Sequence, residues 1–190
     1  MTALLKPAPM SVEDYLELER ESGLRHEFLG GELYAMGGAS RRHNTLALNL
    51  ASALRTHLRG GPCRAFIGDV KVRINFAQDD VFYYPDVVVT CSATDCDPYV
   101  VSEPSVVVEV LSPSTERLDR REKLLTYTRL PSLREYILVE QAAPFVSVLD
   151  RNLDWKGSDF RAGAILKIPS LDFALPVDEL YAGTADLPAG

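Results

Sequence analysis

Two hydrophobic rhythms alternate along the chain. Leu46, Leu50, Ala53, Leu54 and Leu58 recur every three or four residues, which predicts an amphipathic helix over 42–58, ended by Gly60-Gly61-Pro62. A shorter helix is expected from Ser11, whose hydroxyl can cap free N–H groups. Glu13 and Asp14 suit its positive end, Tyr15, Leu16 and Leu18 supply apolar contacts, and Gly23 stops it. Between these helices, two short alternating runs flank Gly30-Gly31, a hairpin signal. Residues 63–76 alternate as one strand. Residues 82–90 (FYYPDVVVT) and 104–111 (PSVVVEVL) are near-continuous β-branched runs, as in strands buried on both faces. A helix opening at 112–115 should run to about Leu130, before Pro131 and Ser132. Strands at 134–140 and 144–150 follow, then short extended segments. The order αββαβββαββ predicts an α/β sheet core flanked by helices. Residues 1–10 and 183–190 are expected to be loose tails on a single domain spanning 1–190.

Composition narrows the class. The chain has 190 residues, 46% hydrophobic and 25% charged, which suits one globular domain and excludes collagenous, low-complexity and disordered chains. Apolar runs such as Val106-Val107-Val108 are too short to span a bilayer, and the start lacks the apolar stretch of a signal peptide. A cytoplasmic protein without a membrane partner is expected. Cys63, Cys91 and Cys96 form no C-x-x-C pair, so buried free thiols are expected rather than a disulfide or zinc site.

Charge changes the picture more. The net charge of −7 counts against a polyanionic partner. The charges are segregated, however. Residues 33–64 hold five arginines and no acid, and 116–134 hold six bases against three acids. Residues 65–115, between them, hold eight acids and two bases. Basic blocks can meet phosphates, and clustered acids can hold a divalent metal. Two ordinary solvated helix faces are the plainer reading.

Two carboxylates interrupt apolar strands. Asp86 lies between Pro85 and Val87-Val88-Val89, and Glu109 between Val106-Val107-Val108 and Val110-Leu111. A buried charge costs several kcal/mol, on the order of the desolvation penalty, unless it is paired or binds a metal. Alternation sets Glu109 on the face of Val107 and Leu111. Asp119, Lys123 and Tyr127, spaced by four, share one face of the following helix, and Lys123 can be aimed back at the two acids. The competing readings are salt-bridged strand-end acids and a surface ion pair between Asp119 and Lys123.

Pro85-Asp86 and Glu109, 23 residues apart, resemble the PD-(D/E)xK nuclease superfamily. The Lys usually found two residues after the Glu is replaced by Leu111. RHEFLGGELYAM, the following His43, YYPDVVV, PSVVVEVLSPST, Asp119…Lys123…Tyr127 and REYILVE are similar to the Uma-two family of restriction endonuclease-like proteins. In that family the Lys has moved to the next helix, where Lys123 stands here. The resemblance runs from about Ser11 to Asp150. It implies a restriction endonuclease-like fold: a central mixed β-sheet flanked by helices, with an N-terminal helix and β-hairpin. It implies Asp86 and Glu109 as ligands of Mg²⁺ or Mn²⁺, Lys123 as the group assisting the attacking water, and Glu27 as a further acid near the metal. The expected activity is hydrolysis of phosphodiester bonds in DNA, with RNA open, by a homodimer. Arg41, Arg42, His43, Arg120 and Arg121 are the candidate phosphate contacts. Glu27 could equally pair with Arg25 or Lys71, His43 could cap a helix, and Asp69 could be either a supporting acid or a plain strand-end residue. The rival class is a catalytically degenerate nuclease fold with a binding or regulatory role, which the charge of −7 and Leu111 favour.

Overall fold

The structure is a computed structural model that describes residues 9–76, 79–113 and 116–188. The tail residues 1–8 and 189–190, and the helix opening at Ser114-Thr115, lie outside the described residues. Helix α1 (Val12–Glu21) starts as expected: the Ser11 hydroxyl accepts from the Asp14 N–H at 3.1 Å. Strands β1 (His26–Leu29) and β2 (Glu32–Ala35) form the hairpin, turning through Gly30 and Gly31 with φ of 56° and 95°. Gly31 is also a close approach, because a Cβ there would lie 2.4 Å from the Cβ of Pro9. Helix α2 (Arg41–His57) is capped by Ser40 and buries Leu46, Leu50 and Leu54.

Two expected strands each divide. The 63–76 run breaks at Gly68, φ 60°, into β3 (Arg64–Ile67) and β4 (Lys71–Phe76). The 82–90 run breaks at Tyr84-Pro85-Asp86 into β5 (Asp79–Tyr83) and β6 (Val87–Thr90). Pro85 has no N–H for a ladder, so a break there has a physical cause. The two breaks touch, the Gly68 N–H donating to the Asp86 carbonyl at 3.1 Å.

These crossings move the chain between two sheets, where one was expected. With β7 (Val100–Val101), the first sheet has the order β2-β1-β5-β4-β7. The second is built with β8 (Pro104–Val110), β9 (Glu135–Val139), β10 (Phe145–Asp150) and β11 (Lys156–Arg161), in the order β11-β10-β9-β8-β6-β3. Both are mixed: β4 pairs β7, and β8 pairs β9, in parallel. Strands β12 (Ile165–Ile168) and β13 (Phe173–Pro176) form a separate hairpin before α4 (Val177–Leu180). The helix expected to reach Leu130 is a π-helical turn at Leu118–Lys123 that continues as α3 (Leu124–Tyr127).

Strand alternation builds three cores. Val106, Val108 and Val110 of β8 pack toward α2 and the C-terminal hairpin. Val107 and Leu111 face the other way, against Val72 and Ile74 of β4, Val81 and Tyr83 of β5, and Tyr127 of α3. Phe28 and Phe82 point to the far side of the first sheet and meet Tyr15 of α1. The layers therefore run α1, first sheet, second sheet, α2. The face between the sheets is the one that Glu109 shares.

Two further expectations are corrected. Cys63 and Cys91 form a disulfide instead of remaining free, and Cys96 is free but exposed. The β3–β6 register pairs Arg64 with Thr90, which sets the two flanking cysteines opposite each other. Residues 183–188 are held against α2 instead of running loose. Asn49 donates to the carbonyls of Leu180 and Ala182, Arg42 donates to that of Leu187, and Thr184 is buried. Among the described residues, no helix is long and apolar enough to cross a membrane.

Candidate active site

Glu27 and Glu109 reach the site from facing sheets. In β1, Phe28 packs toward α1, so Glu27 lies on the face turned to the second sheet. Glu109, on the Val107 face of β8, looks back at it. Between them stands Lys123, delivered by the π-helical turn, a feature found often at functional positions. Its Nζ lies 2.9 Å from Glu27 Oε1, 3.2 Å from Glu109 Oε1 and 3.3 Å from Asp119 Oδ1. All four residues are buried, Lys123 keeping 5% of its surface and Glu109 4%. The Asp119–Lys123 pair is thus an interior pair and not a surface one. Asp119 Oδ1 accepts no hydrogen bond despite this proximity.

Asp86 occupies the second strand break. The β6–β8 register, Val87 opposite Val108, brings it beside the Glu109–Val110 end of β8. Its Oδ2 accepts from the Val110 N–H at 2.7 Å and lies 3.2 Å from His43 Nε2. His43 is therefore a partner of Asp86, neither the cap of α2 nor a free phosphate contact. Ser40 takes the cap role, accepting from the His43 N–H at 3.1 Å.

Burial and charge act against each other here. Burial raises the Glu109 carboxyl well above the usual carboxylate range; the Lys123 charge opposes this, and the charges of Asp119, Asp86 and Glu27 add to it. Burial disfavours the Lys123 ammonium, but Glu109, Glu27 and Asp119 more than offset it, so Lys123 stays a cation. Burial likewise works against a charged His43, and the hydrogen bond and charge of Asp86 raise it overall. The Tyr127 hydroxyl is 3.5 Å from Glu109 Oε1, and burial holds it neutral.

Sequence reasoning missed two supports. Gln141 accepts from the Ser40 hydroxyl at 2.8 Å and donates to the Leu111 carbonyl at 2.7 Å, tying the start of α2 to the end of β8. Glu19 of α1 pairs with His26 Nδ1 at 2.8 Å and accepts from the Tyr84 hydroxyl at 2.5 Å. One carboxylate thus holds both His26, next to Glu27, and Tyr84, two residues before Asp86. Lys71 donates to the same Tyr84 hydroxyl, and Arg25 pairs with Asp69 at the surface, so neither meets Glu27 and Asp69 stands apart from the cluster.

The proposed phosphate arginines separate into two groups. Arg42 is bonded to Leu187, and Arg120 is paired with Glu116 and Glu140. Arg41 and Arg121 are exposed, and Arg41 lines a cavity sharing Ala39 and Ser40 with the main cleft.

Glu27, Asp86, Glu109, Asp119 and Lys123 open on a cleft of about 530 Å³. Four carboxylates face at most two cations, Lys123 and His43, which leaves an acid excess. Among the described residues, no three His, Cys, Asp or Glu side chains form a ready-made metal set. Mg²⁺ and Mn²⁺ need few protein ligands, however, and take hard oxygens. Asp86 and Glu109 supply such oxygens where negative charge is in excess, so the donor set fits in kind.

Residues 12–178 match the Uma2 family, described as "Putative restriction endonuclease". The chain is 35% identical over 179 residues to the uncharacterized protein slr1290 of Synechocystis sp., covering 93% of each chain. It is 33% identical over 135 residues to the uncharacterized protein sll1609 of the same organism, covering 70% of this chain and 75% of that one. Its fold matches a crystal structure of "a putative nuclease belonging to DUF820" from Anabaena variabilis, with TM-score 0.74 and 17% identity over 92% of this chain and 98% of the other. The fold is restriction endonuclease-like, as the sequence resemblance implied, and the chain belongs to the Uma2 family.

Proposed function

We propose that this protein is a divalent-metal-dependent nuclease that hydrolyses phosphodiester bonds in nucleic acid, DNA being the first substrate to test. The observation that carries the reading is the buried Lys123 ammonium held by Glu27, Glu109 and Asp119 beside Asp86, at the floor of an open cleft. Asp86 and Glu109 would hold Mg²⁺ or Mn²⁺. When bound, such an ion neutralises phosphate charge and acidifies water. The carboxylates keep Lys123 protonated, so its role is to donate: it orients the attacking water and stabilises charge on the phosphate oxygens. His43 holds Asp86 through Oδ2, and Glu27 and Asp119 fix Lys123 in place. The family's description, and that of the Anabaena protein, support the reading.

The test is cleavage of plasmid, single-stranded DNA and RNA in Mg²⁺ or Mn²⁺. Asp86→Ala, Glu109→Ala and Lys123→Ala should each lose at least about 100-fold in rate. Equal cleavage by all variants contradicts the assignment. One observation favours binding without catalysis: the ammonium already fills the centre of three carboxylates. Calorimetric Mn²⁺ titration separates the two, since only a nuclease site should bind the ion and lose it in Asp86→Ala.

A further inference from the structure

The cleft has two unlike walls. One carries the charged cluster; the other is β2 and the segment that follows it to Ser40. The β1–β2 register sets Tyr34 directly opposite Glu27, so the two side chains share a face. Met36, two residues on, lies on that face as well. Tyr34 keeps 49% of its surface exposed and Met36 37%, although both line the cleft. The other large exposed apolar residues, such as Leu24, Tyr99 and Leu125, do not line it. The Tyr34 hydroxyl donates to Glu32 Oε2 at 2.8 Å, an exposed contact within the same strand that leaves the ring open to solvent. Gly37 and Gly38 follow, and a Cβ at either would meet nothing within 4 Å, so the wall stays open beside the ring.

An open aromatic face thus lies one cross-strand step from a carboxylate that touches Lys123. Charge adds a second observation. Apart from His43, which is engaged by Asp86, the lining's sole cation among the described residues is Lys123, already surrounded by acids. Such a cleft offers little to the two charged backbones of a duplex, whereas an unpaired base adds stacking on an aromatic ring, which a paired base cannot offer. A paired base inside a duplex has both faces covered by its neighbours. We propose that Tyr34, flanked by Met36, is a stacking platform for an unpaired base, and that the substrate class is single-stranded nucleic acid. The location of the base rests on the nuclease reading above; the stacking itself can be measured without cleavage.

The experiment is fluorescence anisotropy with a labelled single-stranded oligonucleotide, its duplex and an abasic strand of equal length, in buffer without divalent ions. Wild type should bind the single strand more tightly than the duplex. Tyr34→Ala should weaken single-strand binding about tenfold, Tyr34→Phe should retain it, and the abasic strand should not distinguish the three proteins. Tyr34 is exposed, so the variants should melt as wild type does, which circular dichroism checks. Equal binding by Tyr34→Ala and wild type, a preference for duplex, an equal loss on the abasic strand, or no binding by wild type overturns the platform. A parallel cleavage assay in Mn²⁺ keeps the two claims apart: binding as expected without cleavage contradicts the nuclease reading alone, and cleavage unaffected by Tyr34→Ala contradicts the platform alone.

Discussion

Lys123 is the residue on which the site turns. It reaches Glu27, Glu109 and Asp119 within 3.3 Å, and all four side chains are largely buried. Removing one partner of a buried ionic group leaves the others uncompensated, at a cost of about 3–5 kcal/mol. Lys123→Ala should be destabilised by that order in urea unfolding, and Glu27→Gln, which keeps an acceptor beside the ammonium, by clearly less. A partly exposed ion pair on the first sheet behaves differently from this interior, as Asp80 shows. Its hydrogen bond to Arg73, at 2.8 Å, holds its carboxyl below the usual carboxylate range, against the effect of burial. A depressed carboxyl contributes stability that is present above its unfolded value, about 4, and lost as pH falls through its folded value. Melting temperature against pH should therefore fall less steeply below about pH 4 in Asp80→Asn than in wild type. Asp86, Glu109 and Lys123 were legible because each is a charge set in, or aimed at, an apolar strand. Gln141 was not, since its bond to Ser40 joins residues 101 apart and no local pattern marks it. The pairing of His43 was missed for the same reason: its partner, Asp86, is distant in sequence.

At the scale of elements, the site exists because strands break. Gly68 and Pro85 end what otherwise read as two long strands, and the chain crosses between sheets at both points. Hydrophobic alternation continues through Gly68 into Val70 and Val72, so periodicity alone joins β3 to β4. The Pro in YYPD is a signal for the second break, but the β-branched run beyond it led 82–90 to read as one strand. Gly68 has φ 60°, and a Cβ there would meet no atom within 4 Å, so only backbone strain penalises a side chain. Gly68→Ala should cost about 1–2 kcal/mol in chemical denaturation. Glu19 acts at this scale too, pinning β1 at His26 and the β5 exit at Tyr84. The helix carrying Lys123 was foreseen, with Asp119, Lys123 and Tyr127 on one face. Its π-helical turn was not, because spacing by four does not distinguish the two hydrogen-bond patterns.

For the whole molecule, the layered fold puts one face of each sheet against the other and leaves the cluster at the open end between them. The net charge of −7 fits that picture, since Glu27, Asp86, Glu109 and Asp119 contribute to the excess and lie together. A single-stranded substrate, as proposed, would need only one active site, so the expected homodimer would not be required for cleavage. The fold class was legible from the order of elements and the family motifs. The disulfide was not, because Cys63 and Cys91 lie 28 residues apart and only the β3–β6 pairing brings them together. Closing a loop of that length should stabilise the chain by roughly 3–4 kcal/mol. Cys63→Ser, or reductant added to wild type, should lower the melting temperature, and no change would show that the bond does not constrain the unfolded chain.

The most direct measurement is cleavage of a labelled single-stranded oligonucleotide in Mn²⁺ by wild type, Asp86→Ala and Lys123→Ala at matched folded concentrations. The predicted result is a wild-type cleavage rate at least about 100-fold above that of either variant. Cleavage at the same rate by all three proteins, or by none, would contradict the assignment of this cleft as a nuclease site.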